Sequence, residues 1–133
     1  MYISLFAHEL GHYLAGRLLG QKAKFVYIST FYGLTAFEHR FKNWKQDLLV
    51  SISGSFLNLL LAVVFLALYF ITDAFIFFSL ACVNIVFVSE LLPIMPFDGG
   101  KTLSALITGI FGTKRSKSDY ISFIIGFIFC LIV

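Results

Sequence analysis

Charge is scarce in this chain. Asp, Glu, Lys and Arg make up 13% of its 133 residues, about half the share of an ordinary soluble domain. Hydrophobic residues make up 59%, with 17 phenylalanines among them. A soluble domain of this size keeps too much surface to hide so many apolar side chains, so the composition excludes a water-soluble enzyme and points to a bilayer. Cysteine is nearly absent too. Cys82 and Cys130 both sit in apolar runs without a CxxC spacing, which excludes a disulfide framework or a cysteine-held metal and leaves packing. There are two prolines, both within "PIMPFDGG". Internal repeats, low-complexity tracts and a cleavable signal with a basic start are missing. The net charge of +3 comes from basic residues lying between apolar segments, which speaks against nucleic-acid binding and for positive cytoplasmic loops.

Four apolar segments stand out: Met1 to about Leu19, Leu48 to Ile71, Ala74 to Leu92, and about Tyr120 to Val133. The second runs 24 residues without a charge, longer than the roughly 20 needed to span as a helix. Between the first two, "KFVYIS" and "GLTAFEH" alternate loosely around "TFYG", which predicts a β-hairpin. The expected fold is an all-α membrane protein of about four transmembrane segments with a short membrane-associated hairpin between the first and second. "KTLSALITGIFG" predicts a further short helix, and "TKRSKSD" a polar loop. Arg17, Lys22, Lys24, Arg40, Lys42 and Lys45 cluster in the first loop, and Lys114, Arg115 and Lys117 in the last, while the turn between the long segments holds Asp73. That asymmetry predicts an integral protein of the cell membrane with its N-terminus outside and its site opening toward the cytoplasm. The expected organisation is one intramembrane domain over 1–133. Its short first and last apolar segments suggest that part of one or both ends is missing.

The first segment contains "HELGH", Phe6 to Gly20 reading "FAHELGHYLAGRLLG". One helical turn puts His8 and His12 on the same face, able to grip one zinc ion, with Glu9 beside the first ligand as general base. The short pattern alone also occurs on solvated helix faces. In an apolar helix, however, ionisable groups mark function. Catalytic zinc usually takes a third protein ligand. Glu38, His39, Asp47, Asp73, Glu90, Asp98 and Asp119 are the candidates outside the motif. Asp98 leads them, because it follows a proline-broken helix end that can aim a carboxylate into a bundle; an ordinary Asp-Gly turn is the competing reading. Asn84 in mid-helix reads as an inter-helix hydrogen bond, and Trp44 and Tyr120 as interfacial anchors.

In "HELGH" and "PIMPFDGG", about 90 residues apart with two apolar segments between them, the chain resembles the site-2 proteases, zinc metalloproteases that cut within the membrane. The resemblance covers His8 to about Lys101. It implies a fold of membrane helices, zinc bound by His8, His12 and Asp98, one ion per chain, and Glu9 as the catalytic base. "SGSFLN" is similar to a further Gly-x-x-x-Asn pattern, which implies a substrate-handling role for Asn58 beyond Gly54. The ribbon after the first helix resembles an element that pairs with an extended substrate. Implied partners are a transmembrane protein or peptide substrate and the lipid bilayer. Glu90 departs from the pattern, standing where relatives often carry Asn, and reads as a structural or substrate-side group outside the ligand set. Two other classes fit parts of the sequence: a non-proteolytic zinc-binding membrane protein and a small transporter component. The second has no need of HExxH joined to a distant Asp-Gly loop.

Overall fold

The computed structural model describes residues 1–29, 33–38, 41, 43–95 and 97–132. The expected turn at Thr30, Phe31 and Tyr32, the polar residues His39, Arg40 and Lys42, and Pro96 lie outside the described residues. Helix α1 (Tyr2–Leu18) leads into an antiparallel hairpin of β1 (Ala23–Ile28) and β2 (Gly33–Phe37). There follow α2 (Trp44–Thr72), α3 (Phe75–Val88) with a 3-10 turn at Ser89–Leu91, α4 (Asp98–Phe111) and α5 (Arg115–Ile132). The hairpin falls between the first two helices, with Val26 opposite Thr35 and Ile28 opposite Gly33. Its register is irregular between Ala23 and Phe25.

Both ends of α2 have a local cause. The Asn43 side chain accepts from the Lys45 amide at 3.1 Å and starts α2, an N-cap that satisfies a donor the helix itself leaves unpaired. At the far end Asp73 takes a left-handed conformation, φ 53°, and its amide closes on Tyr69 O at 2.8 Å. Aspartate tolerates this geometry better than most residues.

The packing is inverted relative to a water-soluble protein. Ser51, Gly54, Ser55, Asn58 and Ala62 are the buried face of α2 beyond Val50. Ala81 and Asn84 are buried on α3, and Ser118, Ser122 and Gly126 on α5. Phe56, Phe70, Phe75, Phe111 and Phe123 each expose more than half their surface. Water-soluble cores put the large apolar groups inside. In hydrocarbon that drive is absent, and small residues that let helices approach closely take over the interior.

The structure sharpens one expectation and corrects another. Among the described residues one helix, α2, is long and apolar enough to cross a membrane, and Phe75–Leu91 is apolar but shorter. Of the four expected transmembrane segments, α2 stands as the one clear spanning candidate in a mostly helical chain. The reason is visible in the other two candidates. α1 carries His8, Glu9, His12 and Arg17 within 17 residues, and α5 opens on Arg115, Lys117 and Asp119. The correction is that "TKRSKSD" is not a loop throughout. α5 already begins at Arg115, because Arg115 pairs with Asp47 of α2 and buried Ser118 shares hydrogen bonds with Thr108 and Thr113 at 2.8 and 2.6 Å. Tertiary partners take up polar groups that a sequence reading assigns to solvent.

Candidate metal centre

α1 presents His8 and His12 one turn apart, with ring centroids 4.8 Å apart and planes at 81°. Both rings lie against the first half of α2. The contact is close enough that a Cβ added to Gly54 would stand 2.5 Å from His12 Nε2 and 2.9 Å from His8 Nε2. Only glycine leaves room for both imidazoles at that point. Asp98 arrives from the other side as the first residue of α4. Its Oδ2 lies 2.9 Å from His8 Nε2 and 2.7 Å from His12 Nε2, and the two Nε2 atoms are 3.1 Å apart. All three residues are buried.

The orientation of His12 follows from its backbone partner. His12 Nδ1 lies 2.6 Å from Val50 O. A carbonyl only accepts, so Nδ1 carries a proton and Nε2 is left to face Asp98. Opposite a carboxylate oxygen at 2.7 Å, that nitrogen needs a positive centre between the two, a proton or a metal cation. Two imidazole nitrogens and one carboxylate oxygen are the donor set of a catalytic zinc site, and their ligand atoms all lie within 4.8 Å of one another. A tetrahedron around zinc has edges of about 3.3 Å. The three atoms would spread by a few tenths of an ångström to hold the ion, so the group fits.

Around this trio lies a cavity of about 490 Å³ whose walls include Glu9, Thr35, Ser51, Glu90, Phe97 and Lys101. Glu9 is buried, and its Oε2 accepts from Thr35 Oγ1 at 2.5 Å. Lys101 Nζ donates to Asp98 Oδ1 at 2.8 Å. That bond leaves the other carboxylate oxygen, Oδ2, for the imidazoles. Burial opposes ionisation of Asp98, but the hydrogen bonds from His12 and His8 and the charge of Lys101 prevail and hold its carboxyl well below the usual carboxylate range.

The remaining candidates fall elsewhere or play other parts. Glu90 lines the cavity with Oε2 3.4 Å from His8 Nε2. Asp47 pairs with Arg115, Asp119 accepts from Ser104 at 2.5 Å, and Asp73 caps the distant end of α2. Asn58 is completely buried one turn beyond Gly54 and is not among the cavity-lining residues. Asn84 donates to Leu80 O within its own helix at 2.8 Å. Sequence reasoning missed two groups. Lys101 has a usable signal in its spacing of three from Asp98 on a helix. Thr35 had no local signal, because only the docking of the hairpin on α1 brings it to Glu9.

A helix bearing HExxH, joined by a carboxylate from a distant element, defines the class of metallopeptidases. The chain matches Peptidase family M50 over residues 1–75, more than half its length, and belongs to that family. The match takes in HELGH, the hairpin and all of α2. Asp98 lies beyond it and reaches the site through the fold. No curated protein matches the chain.

Proposed function

We propose that this protein is a zinc-dependent intramembrane endopeptidase that hydrolyses peptide bonds in or near transmembrane segments of membrane proteins. Residues 1–133 belong to one intramembrane domain, embedded in the cell membrane with its N-terminal end outside and its site opening toward the cytoplasm. The observation that carries the reading is the meeting of His8, His12 and Asp98 beside buried Glu9 in one cavity.

His8, His12 and Asp98 would hold one zinc ion, which supplies Lewis acidity to a water molecule and to the scissile carbonyl. The rest falls to the chain. Glu9 takes the proton of the attacking water, holds it on its carboxylate and delivers it to the departing amine. Val50 O keeps His12 turned toward the centre, and Lys101 keeps Asp98 turned toward the imidazoles. The cavity admits water to a bond that a transmembrane helix otherwise shields with its own hydrogen bonds. Asn58, behind Gly54, is assigned to substrate handling on the strength of the Gly-x-x-x-Asn pattern alone.

Glu9→Gln tests this reading. The variant is expected to keep one zinc per chain by metal analysis and to cleave a model transmembrane substrate about 100- to 10,000-fold more slowly. Cleavage at the parent rate would sink the mechanism. Inactivity in both proteins with zinc bound would favour a non-proteolytic metal binder.

A further inference from the structure

The hairpin does more at this site than border it. Its second strand holds Glu9 from two directions. Thr35 Oγ1 lies 2.5 Å from Glu9 Oε2 and 3.4 Å from Glu9 O, bridging the side chain and backbone of the same residue. Two positions earlier, Gly33 lies directly against the same side chain. A Cβ at Gly33 would overlap Glu9 Oε1, Cγ and Cδ. What excludes a side chain there is the space that Glu9 fills.

Residues 33 and 35 share one face of a strand, and that face is pressed onto α1. A glutamate side chain has several rotatable bonds and loses rotamer freedom only where neighbours fix it. Here one oxygen is tied by a hydroxyl and the other rests on a glycine. Thr35 and Gly33 pair across the hairpin with Val26 and Ile28, both exposed. The strand that faces outward and the strand that seats Glu9 are therefore one hydrogen-bonded unit.

We infer that Thr35 and Gly33 are positioning residues that seat Glu9, making the hairpin part of the catalytic apparatus. The inference rests on Glu9 being the general base. It explains why a ribbon of exposed apolar residues is docked with a glycine and a threonine at its contact with α1: larger side chains would displace the carboxylate, and apolar ones would leave it unanchored. Proton transfer depends on the carboxylate being within hydrogen-bond reach of the water, and misplacement by about 1 Å costs on the order of 100-fold.

The test uses the zinc-loaded full chain in lipid and a model transmembrane substrate. Thr35→Val is expected to lower kcat roughly 10- to 100-fold, with KM within about twofold and zinc content unchanged. Thr35→Ser restores most of the rate, because it restores the hydroxyl. Gly33→Ala lowers kcat in the same way, and its loss of thermal stability shrinks in a Glu9→Ala background, where the added methyl has room. Parent-like kcat in Thr35→Val, or a change confined to KM, overturns the inference and leaves the hairpin a substrate platform alone. Failure of the two readings is distinguishable. A fully active Glu9→Gln removes the base assignment whatever Thr35 does, whereas an inactive Glu9→Gln beside a normal Thr35→Val removes only the seat.

Discussion

α1 and α3 are both apolar helices, of 17 and 14 residues, yet they occupy the molecule differently. α1 buries nine residues, among them both imidazoles and Glu9. α3 buries two, Ala81 and Asn84. The first half of α2, the hairpin and the start of α4 close around α1, whereas α3 turns most of its surface outward. Apolar composition does not locate the interior here; small and polar side chains do. In a chain whose exterior is greasy, the positions that matter are those where a methyl group is too many.

The sharpest break of that contrast is Gly54→Val. It places carbons where the two imidazoles meet, and the expected outcome is loss of zinc from the protein, seen by metal analysis, with cleavage falling to background. A variant that keeps one zinc per chain would refute the close approach. Next in size is Lys101→Met. Losing the anchor of Asp98 Oδ1 is expected to weaken zinc binding about 10- to 100-fold in chelator competition, the usual cost of removing a group that orients a ligand. Lys101→Arg should keep most of the affinity, and Lys101→Met binding zinc as tightly as the parent would count against an anchoring role. The smallest effect belongs to the outer face of α3. Ile85, 55% exposed, should accept leucine with zinc content unchanged and cleavage within about twofold, as expected of a substitution that creates no cavity and no unpaired polar group. A large loss there would show that the outer face of α3 meets the substrate.

Much of this could be read from residue order. HELGH fixes the i, i+4 pair by helical geometry alone, the alternation in "KFVYIS" and "GLTAFEH" places the strands, and "PIMPFDGG" marks where one helix breaks and an acid follows. Other features were beyond reach for a physical reason. That Asp98 opens α4, rather than sitting in an unwound stretch, depends on how the turn after Leu91 folds back. The early start of α5 depends on Asp47, which lies 68 residues before Arg115 in the chain. Thr35 becomes a partner of Glu9 only when the hairpin docks. Hydrophobic patterning reports which residues avoid water. In a protein that faces lipid it says little about which polar groups find one another.

The acceptor that orients His12 is the main-chain oxygen of Val50, which Ser53 Oγ also uses at 2.6 Å. A main-chain carbonyl is present whatever residue occupies position 50. Mutation can erase the hydroxyl of Thr35 or the ammonium of Lys101 in one step, but it can remove this acceptor only by unwinding the helix. The tautomer of His12 is thus inherited from the backbone of α2, and it should persist through sequence drift as long as that helix keeps its place beside α1.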